Sequence, residues 1–245
     1  MRHPHQAWTV FALVFLAGLS AALLPVTLDP TRRSFALAWP FHLLLNVVVV
    51  ATVVRLGLQL AGAIGRGVPL LERWLAGQRV RQPLRAMLQE AIVAGASMSV
   101  TVLLLYTFVF HVPLPKLAAI ARVVLWRRVL FSYTAAVEEE VLFRLVLLSL
   151  LAWLLGKRWQ RLDGLPSAGA RWLAILIAAA AFALAHGPTT PLTALAHTPR
   201  LVTAGITGTL FGYLYWERGL EAAIVAHFSA DLMLLVVGPA FLLLA

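Results

Sequence analysis

"SYTAAVEEEVLFRLVLLSLLAWLL", residues 132–155, is long and apolar enough to cross a membrane as a helix, yet it contains three consecutive glutamates and an arginine. An ionisable side chain at membrane depth costs at least about 2.5–3.5 kcal/mol, so we expect it to face a helix-bundle interior and to be functional. Because a helix turns by about 100° per residue, Glu140 and Arg144 lie on nearly one face. The stretch therefore predicts an ion pair between Glu140 and Arg144, with Glu139 turned away from that arginine.

A second interpretation of the glutamates stays open at the level of sequence. If the helix begins at the glutamates, their carboxylates lie beside the lipid headgroups and are stabilised by the positive end of the helix dipole. This interpretation applies best to Glu138, the first residue of the run. We assign no role to Glu138.

The composition of the chain is that of an integral membrane protein. Of its 245 residues, 61% are hydrophobic and only 12% are charged, whereas about a quarter of the residues of a soluble domain are charged. The formal charge of +10 comes from arginines in short polar connections, a pattern typical of loops that fix membrane orientation and not of a nucleic-acid-binding face. The chain has no cysteine, which excludes disulfides, thiolate metal sites and a cysteine nucleophile.

Windows of about 20 apolar residues mark transmembrane helices. They predict an all-α fold, a polytopic transmembrane helix bundle with about seven or eight spans. The expected spans lie near residues 8–25, 35–62, 89–112, 132–155, 171–187, 201–216 and 219–243. The first segment also has the basic start and apolar run of a signal peptide, but we interpret it as a retained helix because further spans follow. Asn46, Arg55 and Gln59 in the second span are interpreted as groups that hydrogen-bond between helices.

Three regions are expected along the chain. Residues 1–112 hold the N-terminal transmembrane helices and carry none of the buried acids. Residues 113–131 begin with two prolines and carry arginines at roughly helical spacing, which predicts an amphipathic helix at the membrane interface or a short eighth span. Residues 132–240 form the core that contains nearly all the unexpected polar groups.

The basic connections predict the orientation in the membrane. Residues 65–85 and 156–171 are rich in arginine and lysine, so the positive-inside rule makes both cytoplasmic. The connections at 113–131 and 188–200 then lie on the outer side. We expect a multi-pass protein of a prokaryotic cytoplasmic (inner) membrane.

Two further apolar helices carry polar side chains. In "AFALAHGPTTP", His186 ends an apolar helix; in "AIVAHFSADLMLL", His227 and Asp231 lie four residues apart on one face. A histidine at a helix C-terminus is often only a partner of the helix dipole, and a His–Asp pair can serve packing alone. If the helices carrying Glu139 and His186 are antiparallel neighbours, however, these two side chains lie at the same depth.

These residue types suit hydrolysis. A glutamate beside a histidine can activate water, and a second histidine oriented by an aspartate can donate a hydrogen bond to an oxyanion. The same side chains are good zinc ligands, although the HExxH signature is absent from the sequence. We expect hydrolysis without a bound metal or other cofactor, with zinc as the alternative. Zinc would be held by Glu139, His186, His227 and Asp231.

Three short motifs in order carry a family resemblance. "EEVLFR" at Glu139–Arg144, "FALAH" at Phe182–His186 and "HFSAD" at His227–Asp231 resemble the motifs EExxxR, FxxxH and HxxxN/D of the CPBP family. This is the CAAX-protease and bacteriocin-processing group, also called Abi. The resemblance covers about residues 132–240 and implies an intramembrane endopeptidase with a glutamate-activated water.

The resemblance also implies roles for single residues. Glu139 matches the general base and His186 its partner, whereas His227 and Asp231 match the oxyanion-stabilising side. The family's eukaryotic prenyl-protein proteases have Asn where this chain has Asp231. Because an ionised Asp only accepts hydrogen bonds, we expect Asp231 to orient His227 or to be protonated itself.

The remaining family positions and partners follow from the same resemblance. Glu140 and Arg144 match the supporting part of the first motif. The implied partners are the lipid bilayer and a membrane-associated protein or peptide, cut at a C-terminal tail or leader; no nucleic acid is expected. The alternatives are a membrane transporter, which paired halves with discontinuous helices would favour, and a non-catalytic binding or immunity protein.

Overall fold

The computed structural model describes residues 4–28, 39–112, 120, 122–187 and 194–239, and these residues form a bundle of helices. The helices are α1 (Pro4–Leu28), α2 (Trp39–Ala63), α3 (Pro69–Leu75), α4 (Arg81–Val109), α5 (125–156), α6 (Ala168–Ala185), α7 (Ala194–Arg218) and α8 (Leu220–Val237). Helices α4 and α8 each end in a π-helical turn. The all-α fold expected from the sequence is confirmed.

Helix α5 changes its winding at the acidic run. It is an α-helix over Leu125–Glu140, a π-helix over Val141–Leu148 and an α-helix again over Ser149–Gly156. The helix begins seven residues before the expected residue 132, so the glutamates lie in its middle. The interpretation that places them at a helix start is therefore wrong. π-Helical segments are rare and often mark functional sites.

The expected interfacial helix at 113–131 lies only partly within the described residues. Residues 113–119 and 121 are outside them, and the end of the segment, from Leu125 onward, belongs to α5. The boundary at 131/132 thus falls inside one helix. The interfacial placement of the earlier residues stays a prediction.

Every expected span corresponds to a helix of the bundle. Among the described residues, five helices are long and apolar enough to cross a membrane, namely α1, α2, α4, α6 and α8. Helix α5 differs from these five helices because it carries the charges of Glu138–Glu140 and Arg144. Helix α7 differs from them because it is richer in glycine, threonine and tyrosine. The protein is an integral membrane protein, and the expected total of seven or eight spans stays a prediction.

Helix α5 lies at the centre of the bundle. It packs against α1, α2, α6 and α8, while α8 also packs against α4 and α7, and α6 against α7. Its π-helical part contributes Leu145 and Leu148, both fully buried. A Cβ atom on Gly57 of α2 would lie only 2.8 Å from the Leu145 side chain. Helix α2 therefore packs closely against the π-helical segment that follows the glutamates.

Two contacts fix α8 in the bundle. Ser99 Oγ of α4 donates a hydrogen bond of 2.7 Å to the carbonyl of Ala230. At the other end of α8, the Glu221 carboxylate accepts hydrogen bonds of 3.1 Å from the backbone N–H groups of Leu70 and Leu71. Glu221 thus satisfies free N–H groups in the first turn of α3 and connects α3 to α8.

We predict that Gly95→Ala displaces α8 and destabilises the protein. A Cβ atom on Gly95 would overlap the carbonyl oxygen of Ala226, one residue before His227. Overpacking of this kind costs about 1–3 kcal/mol. The measurement is the thermal unfolding midpoint in detergent.

The matched control is Gly62→Ala in α2, where an added Cβ would meet no atom within 4 Å. Because alanine is the better helix former, this change should be neutral or stabilise the protein by about 0.5–1 kcal/mol. Equal unfolding midpoints for the two variants would show that α4 and α8 are not packed as described.

Candidate active site

A buried ion pair connects the helices around the site. Arg144 Nη1 lies 2.9 Å from Glu140 Oε1, and the two residues are 1% and 0% exposed. Arg144 Nη2 also donates to the carbonyl of Gly208 in α7 at 3.2 Å, and the guanidinium lies over the Phe182 ring of α6 at 4.5 Å. The predicted pairing is present, and it joins α5 to α6 and α7.

Glu140 has a second partner that sequence reasoning missed. Its Oε1 lies 2.8 Å from His227 Nδ1, and His227 is buried. An ionised carboxylate only accepts, so Nδ1 carries the proton and donates it, which leaves Nε2 directed at the site. The hydrogen bond connects residues 87 positions apart in the chain, and no local pattern signals such a contact.

Asp231 does not orient His227 in the expected way. Asp231 Oδ2 lies 3.8 Å from His227 Nε2, beyond the range of a direct hydrogen bond. The bond that holds the ring comes from Glu140. The Phe211 ring also stacks on the imidazole, with 4.8 Å between ring centroids. Asp231 therefore lies on the open side of His227 and is free to contact a third group.

Glu139 lies between the two histidines. Its Oε2 is 3.6 Å from His186 Nε2 and 3.7 Å from His227 Nε2. His186 Nδ1 lies 2.9 Å from the carbonyl oxygen of Phe182, which can only accept, so this ring also carries its proton on Nδ1. The Nε2 atoms of both rings and one carboxylate oxygen thus converge on one point.

The Glu139 oxygen is buried and has no hydrogen-bond partner among the described residues. A buried acceptor without a partner is costly. The separations of 3.6–3.7 Å are too long for direct hydrogen bonds but suit groups that share a water molecule. The geometry therefore suits a water held by Glu139 and one or both histidines.

All four sequence-predicted residues line one cavity of about 360 Å³. The aromatic rings of Phe131, Phe182 and Phe211 form much of its wall. Threonine and tyrosine hydroxyls and the Arg200 side chain also line it. The cavity lies between α4, α5, α6, α7 and α8, is partly open, and is lined by more apolar than polar surface.

No group of three or more His, Cys, Asp or Glu with the spacing of a metal site occurs within the described part of the chain. The side chains that would hold zinc are those around Glu139, namely His186, His227 and Asp231. The expectation of hydrolysis without a metal stays a prediction.

Residues 121–233 match a protein-family model described as Rce1-like, type II CAAX prenyl endopeptidase. The match includes all three motifs and the four sequence-predicted site residues, Glu139, His186, His227 and Asp231. Over these residues the chain is similar to that family. The resemblance to the CPBP and CAAX-protease group is thereby confirmed. No curated protein and no solved structure matches the chain.

The Rce1-like segment comprises α5–α7 and most of α8. Helices α1, α2 and α4 lie outside it but pack on α5 or α8. Glu138, to which the sequence assigns no role, is exposed and turned away from the cavity residues. The catalytic roles of Glu139, His186, His227 and Asp231 stay predictions at this point.

We predict that Glu140→Gln destabilises the Rce1-like fold. The amide can still accept from His227, but it cannot neutralise Arg144, and removal of one partner from a buried pair costs about 3–5 kcal/mol. Chemical or thermal unfolding in detergent measures the loss. The control is Glu138→Gln, an exposed carboxylate two residues away, for which we expect a change within about 0.5 kcal/mol. A wild-type midpoint for Glu140→Gln would contradict a supporting role for the pair.

Proposed function

We propose that this Rce1-like protein is an intramembrane endopeptidase that hydrolyses a peptide bond near the membrane in a membrane-associated protein. The observation that carries the proposal is the unpartnered Glu139 oxygen, which lies between His186 Nε2 and His227 Nε2 on the wall of a cavity. The family match supports the same reaction class. The proposed location of the protein is a prokaryotic cytoplasmic membrane.

In the proposed first step, Glu139 acts as general base. A water bound between Glu139 Oε2 and His186 Nε2 gives a proton to the carboxylate as its oxygen attacks the carbonyl carbon. The Nδ1–H of His186 is held by the Phe182 carbonyl, which fixes the ring with Nε2 towards the water. Positioned general bases accelerate such steps by about 10²–10⁴-fold.

In the proposed second step, His227 stabilises the oxyanion. Protonated at both nitrogens, His227 donates Nδ1–H to Glu140 at 2.8 Å and offers Nε2–H to the developing negative charge. Asp231, on the open side of the ring, contacts the substrate or the same proton. The C–N bond breaks when the proton taken up by Glu139 passes to the leaving nitrogen.

The dimensions of the cavity support a short substrate segment. A volume of about 360 Å³ is at the small end of the range for small-ligand pockets. It admits a few extended residues and not a folded domain. We therefore propose a C-terminal tail or a leader of a membrane-associated protein as the substrate.

The alternatives differ in what the same residues do. A transporter would lose substrate flux across liposomes, and not proteolysis, when Glu139 is replaced. An immunity or binding protein would retain its partner without cutting it. Mass spectrometry of membrane-protein termini, compared between cells with the wild type and with Glu139→Gln, separates cleavage from both alternatives.

We predict that Glu139→Gln abolishes cleavage and leaves the fold intact. The amide is nearly the same size but cannot take a proton from water, so the rate should fall by about 10²–10⁴-fold. His186→Ala should give a loss of similar size. The readout is the appearance of new termini in the substrate, with the unfolding midpoint as the test of folding.

The matched control for this prediction is Glu138→Gln, which removes the adjacent exposed carboxylate and should retain wild-type cleavage. Cleavage by Glu139→Gln at the wild-type rate would overturn the proposed mechanism.

We also predict that cleavage proceeds without a tightly bound metal. Activity of the purified protein should persist in the presence of a chelator, and elemental analysis should find well under one zinc per chain. One zinc per chain, lost together with activity on chelation and absent from His186→Ala, would assign the same side chains to a metal site instead.

A further inference from the structure

A groove on the membrane-facing surface lies outside the candidate active site. It runs between α1 and α2, has a volume of about 350 Å³ and is lined by Trp8 and Phe11 of α1 and by Arg55, Leu58 and Gln59 of α2. It shares no lining residue with the cavity at Glu139. The groove combines one cation and one amide with aromatic and aliphatic walls.

Arg55 is the unusual group in this groove. It lies within the membrane-spanning part of α2, which ends at Ala63. Arg55 is eight residues before that end, a distance of about 12 Å along the helix axis. The side chain is exposed, and no acidic residue in the described part of the chain forms an ion pair with it. The Arg55 guanidinium lies over the Trp8 ring, with 6.0 Å between the guanidinium carbon and the ring centroid. An intramembrane arginine without a protein counter-charge indicates a binding role.

The groove lies towards the arginine-rich end of the bundle. Gln6 Nε2, at the start of α1, is 3.5 Å from the carbonyl oxygen of Leu75 at the end of α3. Helix α3 belongs to the basic connection 65–85, which the positive-inside rule makes cytoplasmic. Trp8 is 62% exposed, as expected for a tryptophan at a membrane interface. Basic pockets between transmembrane helices on this side bind anionic lipid headgroups.

We propose that the groove between α1 and α2 binds an anionic phospholipid. The phosphate lies at the Arg55 guanidinium, and the Gln59 amide, one turn along α2, donates to the headgroup. An acyl chain lies against Trp8, Phe11 and Leu58. The single cation supplies the charge complementarity, and the apolar walls favour an amphiphile over a free phosphate ion. Gln59 is exposed, so the proposed contact with the headgroup replaces its interpretation as a group that hydrogen-bonds between helices.

A bound lipid would connect two helices that both support α5. Helix α1 packs on α5, and α2 packs on its π-helical segment, where Gly57 closely approaches Leu145. The lipid therefore stabilises two helices that pack on α5 without lining the cavity. This binding site rests on α1 and α2 alone and stands independently of the proposed protease activity.

Native mass spectrometry of the delipidated full chain in detergent tests the proposal. Phosphatidylglycerol and phosphatidylcholine with identical acyl chains are titrated in parallel. We expect the wild type to bind phosphatidylglycerol about fivefold more tightly, since one cation near an anionic lipid contributes about 1 kcal/mol. Arg55→Gln should remove the preference and Arg55→Lys should retain most of it. The control Arg79→Gln, in the basic connection but outside the groove, should behave like the wild type.

A second measurement locates the lipid. Phosphatidylglycerol with brominated acyl chains should quench the fluorescence of Trp8, read as the difference between the wild type and Trp8→Phe. A wild type without preference for phosphatidylglycerol, an unchanged preference in Arg55→Gln, or equal quenching in the wild type and Trp8→Phe would each overturn the proposal. If Arg55→Gln does not fold, Arg55→Lys and the quenching experiment decide it.

Discussion

The structure depends on one buried carboxylate that must neutralise an arginine in a low-dielectric interior. Glu140 Oε1 contacts both Arg144 Nη1 and His227 Nδ1, at 2.9 Å and 2.8 Å. Removal of either partner of a buried pair leaves an uncompensated charge, which is why such pairs tolerate little movement. Through Gly208 and Phe182, Arg144 extends the same network to α7 and α6. Four helices are thus held in one register around the cavity.

Three neighbouring glutamates, Glu138–Glu140, have different environments around this network. Glu140 is fully buried, and its Oε1 contacts both Arg144 and His227, so that oxygen is held in place. Its Oε2 has no hydrogen-bond partner among the described residues. Glu139 points in another direction around the helix, and its Oε2, which also has no hydrogen-bond partner in the described part of the chain, lies between the two histidines on the cavity wall. Glu138 faces outward. Three consecutive glutamates within one helical turn therefore differ in environment: Glu140 supports the fold, Glu139 is the proposed general base and Glu138 is exposed.

Sequence reasoning recovers what local geometry determines. The helices of the bundle follow from apolar length, and the Glu140–Arg144 pair follows from helical angles. Helix α5 starts before the expected residue 132, because the arginines in Leu125–Phe131, which favour an interface segment in the sequence, continue the helix in the structure. The Glu140–His227 hydrogen bond could not be predicted, since it depends on the packing of α5 against α8. Asp231 was assigned to His227 because spacing within one helix is visible in a sequence and contacts between helices are not.

Helices outside the family segment still determine the site. His227 is placed by α8, and α8 is held by the close approach of Gly95 to Ala226 and by the Ser99 hydrogen bond to Ala230. Helix α2 supports the π-helical turns that follow Glu140, because Gly57 leaves no space for a side chain against Leu145. The proposed general base Glu139 needs this support from both sides, since a shift of about 1 Å can cost about 10²-fold in rate. The motifs carry the residues of the proposed chemistry, and the helices outside the family match hold those residues in position.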